Sequence, residues 1–308
     1  MSRTYRIATR QSKLAQIQAR MVGDALVAAD PGTKYELVFI TTTGDKFMGD
    51  LAQVGGKGAF VKEVEDALLA KKADIAVHSL KDLPEPLPEG LKLVGCLPRE
   101  DVRDTVICRP EESLVSLKEG ATIGTSSMRR GAQIKAMFPH LKVKHFRGNV
   151  QTRLAKLDAG DVDATLLAKC GLDRLKITER ISEVLEPDVM CPAVGQGAIG
   201  FECRTDDIVL IKTLERINDD KSFTCVKVER DLLLGLGGNC HTPIGGLCTY
   251  VGDDELELSA VVLSIDGKSI LRSMLRLPAK QADNLGKQVA ADLLAQGARA
   301  IIDATKSA

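Results

Sequence analysis

Apolar and polar positions in the first half of the chain switch repeatedly between two periods. "YRIAT" (5–9) alternates like a strand, and Leu14, Ile17, Met21, Ala25 and Leu26 then fall near one face of a helix that Ser12 would cap. Next come "ELVFITT" (36–42), an amphipathic helix from about Ala59 to Lys71, and the apolar run "ADIAVHS" (73–79). Strand, helix and strand with short connections predict parallel βαβ units.

The proline-broken stretch "LPEPLPEG" (83–90) interrupts this pattern, the strand "LKLVGCL" (91–97) resumes it, and the charged segment "PREDVRD" (98–104) marks an expected hinge. A second α/β unit follows: "TVICR" (105–109), "ATIGTS" (121–126), a helix from about Met128, "LKVKHF" (141–146), a helix from Val150 and "DATLLA" (163–168). "CPAVGQGAIGFECR" (191–204) reads as a crossing that returns the chain to the first unit. Two crossings between two lobes predict a cleft that opens and closes. After a helical stretch at about 206–233, "ELELSAVVLSIDGKSILRSMLRL" (255–277) predicts two strands around an Asp-Gly turn, and a last amphipathic helix (about 281–296) completes a small α+β domain.

A chain of 308 residues has room for two or three such bodies, and 44% hydrophobic with 27% charged residues is ordinary globular composition. No apolar run is long enough for a membrane span, and the start "MSRTYRIATRQSKLAQ" lacks the pattern of a secretory signal, so a cytoplasmic protein is expected. Its eight cysteines (96, 108, 170, 191, 203, 225, 240 and 248) form no C-x-x-C pair, which argues against a zinc site; a disulfide framework is unexpected in a reducing compartment. Lys plus Arg equals Asp plus Glu at 42 each, so the overall field announces neither nucleic acid nor a membrane surface. The absence of Trp and an aromatic content of 3% also argue against stacking on bases.

Charge is instead concentrated locally. From Ala121 to Leu157 there is no Asp or Glu, while Arg129, Arg130, Lys135, Lys142, Lys144, Arg147, Arg153 and Lys156 are all positive. Such a run is usually a solvated face. Here "GTSSMRRG" and "FRGNVQTR" each join a strand to a helix, and in parallel α/β lobes these turns line the ligand crevice. Helix starts and arginine forks together predict an anion with several carboxylates or phosphates.

"AVHSLKDLP" (76–84) ends a buried strand with Ser79, Lys81 and Asp82. A lone Asp more often caps or pairs, but in basic surroundings Asp82 is the leading acid/base candidate. "VGGKGAF" (54–60) fails as a phosphate loop, because Leu51 stands where Gly is needed and Gly58 where Ser or Thr is needed. It reads as a flexible lid carrying Lys57. In "GLGGNCHTPIGG" (235–246) Cys240 is set among glycines 235, 237, 238, 245 and 246. Free cysteines are commonly buried as small hydrophobes, yet these glycines suggest a backbone close to a bulky attached group. His78, His140 and His145 are scattered, with His145 expected on a strand face; His241 adjoins Cys240.

"VGGKGAF", "DIAVHSLKDLP", "GTSSMRR", "FRGNVQTRLAKLDAG", "PAVGQGAIGFECR" and "ERDLLLGLGGNCHTPIGG" stand in this order along one chain. The set closely resembles the porphobilinogen deaminase (hydroxymethylbilane synthase) family, from about Arg6 to the final helix. The resemblance implies an α/β fold of two periplasmic-binding-protein-like lobes (type II) with a hinge, plus a small α+β C-terminal domain. Domain 1 would span 1–98 plus about 198–216, domain 2 103–192 and domain 3 219–308. It implies a transferase that condenses four porphobilinogen molecules head to tail, releasing ammonia, into the linear tetrapyrrole hydroxymethylbilane on a dipyrromethane primer attached by a thioether to Cys240.

By the same resemblance Arg10, Ser12, Arg129, Arg130, Arg147 and Arg153 bind carboxylates. Ser79, Lys81, Thr125, Ser126, Ser127 and Gln196 add hydrogen bonds, Gly148, Ala168 and Gly171 border the cofactor and substrate, and Lys57 comes from the mobile loop. Asp82 handles protons at the departing amine and the attacking pyrrole. A monomer without metal, nucleic-acid or membrane partners is implied. Gln11, Gln53 and Cys170 depart from the family's usual residues. The rival readings are a non-catalytic two-lobed binding protein for a polycarboxylate anion and a nucleic-acid binder using the basic stretch.

Overall fold

The computed structural model describes residues 3–46, 58, 60–109, 112–239 and 241–306. The chain forms two compact units, Met1–Glu100 with Gly197–Thr224, and Asp101–Gln196 with Cys225–Ala308. Among the described residues no helix is long and apolar enough to cross a membrane.

Unit 1 is built on β1 (Thr4–Arg10), β2 (Lys34–Ile40), β3 (Ile75–Ser79), β4 (Leu91–Cys96) and, much later in the chain, β10 (Ile199–Arg204). Their order is β2-β1-β3-β10-β4, with β1 parallel to β2 and β3, and β10 antiparallel to both its neighbours. The expected return of the chain at 191–204 is therefore real, and it adds an antiparallel strand to a sheet expected to be parallel. The helices here are α1 (Lys13–Ala29), α2 (Thr43–Lys46), α3 (Lys62–Leu69) and α7 (Ile208–Glu215). Successive residues of a strand face opposite sides: Ile7 packs with Ala19, Val22 and Leu26 of α1, whereas Ala8 packs with Val64 and Leu68 of α3.

Ser12 caps α1 as expected, its Oγ accepting from the Ala15 N–H at 3.3 Å. The buried line of α1 is nevertheless Ala19, Val22 and Leu26, with Leu14, Ile17, Met21 and Ala25 only half-buried on its flank. Small residues bring the helix close to β2: a Cβ on Gly23 would lie 2.5 Å from the Tyr35 ring.

Unit 2 repeats the plan with β5 (Asp104–Ile107), β6 (Thr122–Gly124), β7 (Lys142–Lys144), β8 (Ala164–Ala168) and β9 (Glu183–Leu185). The order is β7-β6-β8-β5-β9, again with three parallel strands followed by an antiparallel one from a crossing segment. Its helices are α4 (Met128–Met137), α5 (Val150–Asp158) and α6 (Lys169–Leu175). β9 has three residues, too few to reveal a period, and His145 lies exposed just beyond β7 rather than on it.

The same compact unit contains an antiparallel sheet of β11 (Ile244–Val251), β12 (Glu255–Leu263) and β13 (Ile270–Pro278). One face is covered by α8 (Asp220–Leu236), α9 (Ala282–Ala295) and α10 (Ala298–Lys306), through Leu232, Leu258, Val262, Leu285, Val289 and Ile302. The β12–β13 turn rests on α4: Lys135 Nζ donates to the Ile265 carbonyl at 2.9 Å, and a Cβ on Gly267 would lie 2.7 Å from the Ala136 nitrogen.

β11 starts inside the glycine-rich loop, where two glycines lower strand propensity and hid it from the sequence pattern. Those glycines admit close packing of the chain on itself. A Cβ on Gly245 would come within 2.8 Å of Cys191 Sγ, and one on Gly238 within 2.4 Å of Ile244 Cδ1. The expectation that they chiefly make room for an attached group is corrected accordingly for these two positions.

Candidate active site

In unit 1, β3 runs into a single tight turn, Leu80–Asp82. Leu80 is buried and its N–H donates to the Ala198 carbonyl at 3.1 Å, which anchors the turn and leaves Lys81 half-buried and Asp82 exposed. Ser79 Oγ accepts from the buried Gln18 amide at 2.8 Å. At the end of β1, Arg10 Nε donates to Asp45 at 3.2 Å, and the guanidinium lies 4.1 Å from the Phe60 ring centroid. Burial of Asp45 opposes its ionisation, but bonds from Arg10 and Thr42 outweigh this and hold its carboxyl below the ordinary range. Gln11, the first departure, places its amide near Thr41 Oγ1 at 3.4 Å.

His78 of β3 meets Glu202 of β10 at 3.0 Å, both buried. Glu65 of α3 is buried as well; desolvation and the nearby Glu202 push its carboxyl up to about 7. His78 is thus part of a buried acid cluster that its lone position in the sequence did not disclose.

In unit 2 the two predicted turns meet because β6 and β7 are adjacent and parallel. The Thr125 N–H donates to the Lys144 carbonyl at 3.0 Å, and Arg153 donates to the Gly148 carbonyl at 2.9 Å and to Ser126 Oγ at 3.3 Å. Ser127 caps α4 and Asn149 caps α5, their side-chain oxygens accepting from Arg130 N and Thr152 N. Gly148 has φ +133° and lies so close to Thr152 that a Cβ would sit 2.7 Å from its Cγ2. Neither helix has an acidic residue in its first turn. Thr125, Ser126, Ser127, Gly148 and Arg153 are thereby gathered around two helix starts, with Arg147 half-buried beside Gly148.

Arg129 and Arg130 turn inward. Both reach Asp104, a wholly buried residue at the start of β5 that the sequence reading missed. Burial opposes its ionisation, but Arg129 and Arg130 hold its carboxyl well below the usual range; burial also lowers Arg129, which stays charged because arginine starts so high. Gln196 joins them, its amide donating to Asp104 Oδ1 at 2.9 Å and to the Val102 carbonyl at 2.7 Å. Ala168 lies opposite Asp104 in the β5–β8 register, while Gly171 and Cys170 are buried in α6. The only sequence signal for Asp104 was the charged crossing "PREDVRD" (98–104).

Lys57, Gln53 and Cys240 lie outside the described residues. Next to position 240, Asn239 Oδ1 accepts from the His241 N–H at 2.8 Å, and the Asn239 N–H donates to Thr242 Oγ1 at 3.0 Å. Among the described residues no group of His, Cys, Asp and Glu could hold a metal ion.

Residues 5–212 match the family model described as porphobilinogen deaminase, dipyromethane cofactor binding domain, and residues 223–295 match the porphobilinogen deaminase C-terminal domain. The chain belongs to the porphobilinogen deaminase family. A porphobilinogen deaminase of Methylobacillus flagellatus is 44% identical over 303 residues, 98% of this chain and 97% of that protein. Among solved structures, the methionine binding protein MetQ is 10% identical with a TM-score of 0.45, covering 74% of this chain and 94% of that one. The BvgS VFT2 domain of Bordetella pertussis is 14% identical with a TM-score of 0.44, covering 70% of this chain and 86% of that one. At that distance the type II, two-lobed fold class rests on the chain's own strand order.

The donor set of unit 2 fits the dipyrromethane cofactor of porphobilinogen deaminases. Hydroxyls, the Arg153 fork and two helix starts without acidic residues suit a group bearing carboxylates.

Proposed function

We propose that this chain condenses porphobilinogen head to tail into a linear tetrapyrrole, using Asp82 for proton transfer, the arginines of unit 2 for carboxylate binding and Cys240 as the thioether anchor of a dipyrromethane primer. The family match supports the reaction: it covers both the cofactor-binding and the C-terminal domain, which a binding protein sharing only the lobes would lack. The single geometric observation that carries the residue assignment is the convergence of the β6–α4 and β7–α5 turns through Arg153.

Each porphobilinogen ring bears an acetate and a propionate, so a growing chain accumulates negative charge. Arg10, Ser12, Arg129, Arg130, Arg147 and Arg153 hold those carboxylates. Ser79, Lys81, Thr125, Ser126, Ser127 and Gln196 add hydrogen bonds, and Lys57 comes from its loop. When bound, the primer supplies the pyrrole carbon to which the first substrate is joined. Asp82 delivers a proton to the departing amine, steadies the positive charge left on the substrate, and takes the proton lost from the terminal pyrrole carbon of the chain once that carbon has attacked the cation. One exposed carboxylate can serve every round. The three-domain division, a monomeric state and a cytoplasmic setting without nucleic-acid or membrane partners belong to the same reading.

Intact mass of the denatured, active protein tests the assignment. The expected mass exceeds that of the 33.1 kDa chain by two linked pyrrole rings, and Cys240→Ala loses both the increment and turnover. An unmodified mass in active protein, or full activity in the variant, would falsify it.

A further inference from the structure

Two guanidinium groups buried side by side repel each other, and each has lost water. In unit 2 a single carboxylate answers both. Asp104 Oδ2 accepts from Arg129 Nη2 at 2.8 Å, and Oδ1 accepts from Arg130 Nη2 at 2.6 Å and Nε at 3.1 Å. Arg129 and Arg130 are 4% and 6% exposed and Asp104 is not exposed at all. Their other bonds go to the Cys191 and Leu166 carbonyls, and Arg129 Nε has no hydrogen-bond partner among the described residues.

The balance is incomplete in a particular direction. A carboxylate paired with one arginine would be neutral, whereas two arginines leave one positive charge in excess. Both arginines also lie in the first turn of α4, where the positive end of the helix dipole disfavours cations and no acidic residue compensates. For folding alone this is an unfavourable arrangement. An anion arriving at the start of α4 relieves it.

We propose that Asp104 is a positioning residue for substrate carboxylates: it locks Arg129 and Arg130, with Gln196, in one orientation and cancels one of their two charges, leaving a preorganised pair that receives one carboxylate of a pyrrole. Asp104 acts through the arginines and touches no substrate. A full neutralisation would remove the attraction, and none would leave the arginines free to splay. This inference rests on the function proposed above and deepens it, since it assigns the residue that sets the strength of the anion site.

The test compares Asp104→Asn and Asp104→Glu with the unaltered full-length protein by urea unfolding, intact mass and steady-state kinetics on porphobilinogen. For folded Asp104→Asn we expect KM to rise about tenfold or more with kcat within about threefold, the pattern of lost binding rather than lost chemistry. The fraction of chains carrying the two-ring mass increment should fall as well. Asp104→Glu keeps the charge but shifts it by a methylene, and its KM should lie between, raised about threefold. Unchanged KM and full loading in folded Asp104→Asn overturn the inference. Should that variant not fold, a KM equal to that of the unaltered protein in Asp104→Glu overturns it. An unaltered protein with neither mass increment nor porphobilinogen consumption overturns the function reading and this inference together, whereas a normal protein beside an unaffected variant overturns this inference alone.

Discussion

Leu80 and Asp82 divide the work of one short turn: the buried leucine fixes the backbone and the exposed aspartate faces solvent two residues on. Replacing Asp82 by Asn removes the charge and the proton acceptor but leaves that anchor untouched. We expect Asp82→Asn to fold and keep its mass increment while turnover drops by about 10²-fold or more, checked by intact mass and by ammonia release. Near-normal ammonia release would reject Asp82 as the acid/base. A role that depends on near neighbours, such as the Ser12 cap, is legible in the chain because its partner lies three residues away. Asp104 was not, since its partners stand 25, 26 and 92 residues off.

Between elements, Glu65 on α3, buried near Glu202 of β10, makes stability depend on pH. Glu65 titrates near 7 in the folded chain, above its ordinary 4.5, so the folded state binds this proton more tightly than the unfolded one. Its contribution is full below the ordinary value and is lost as pH rises toward the folded one. Between about pH 5 and pH 8 the loss is on the order of 2 kcal/mol. Urea unfolding should show Glu65→Gln gaining on the unaltered protein as pH rises across that range; a difference independent of pH would contradict the assignment. The glycine-rich loop carries a second lesson at this scale. Gly245 looked like room for a ligand and proved to be room for Cys191, because a missing side chain reads the same in sequence whichever neighbour approaches it.

At the scale of the whole molecule, 42 basic and 42 acidic residues give no net charge, yet the stretch from Ala121 to Leu157 holds none of the acids. Attraction of a polycarboxylate is then a local effect that salt screens, over a Debye length of about 10 Å at 0.1 M and about 3 Å at 1 M. Raising ionic strength from about 0.1 to about 1 M should increase KM for porphobilinogen severalfold with little change in kcat. Initial-rate kinetics in two salts of different anion would check it, and a KM indifferent to both salts would contradict the charge argument.

By itself the sequence determined the alternation of strands and helices in both α/β parts, the Ser12 cap, the β12–β13 pair and the ordered motifs that place the chain in its family. All of these rest on contacts short in sequence or on residue order. Tertiary structure decided that each five-stranded sheet takes an antiparallel strand from a crossing segment, that β11 grows out of a glycine loop, and that Arg129 and Arg130 turn inward onto a buried carboxylate. Strand neighbours and buried ion pairs are chosen by packing between segments far apart in the chain, and no local period records that choice.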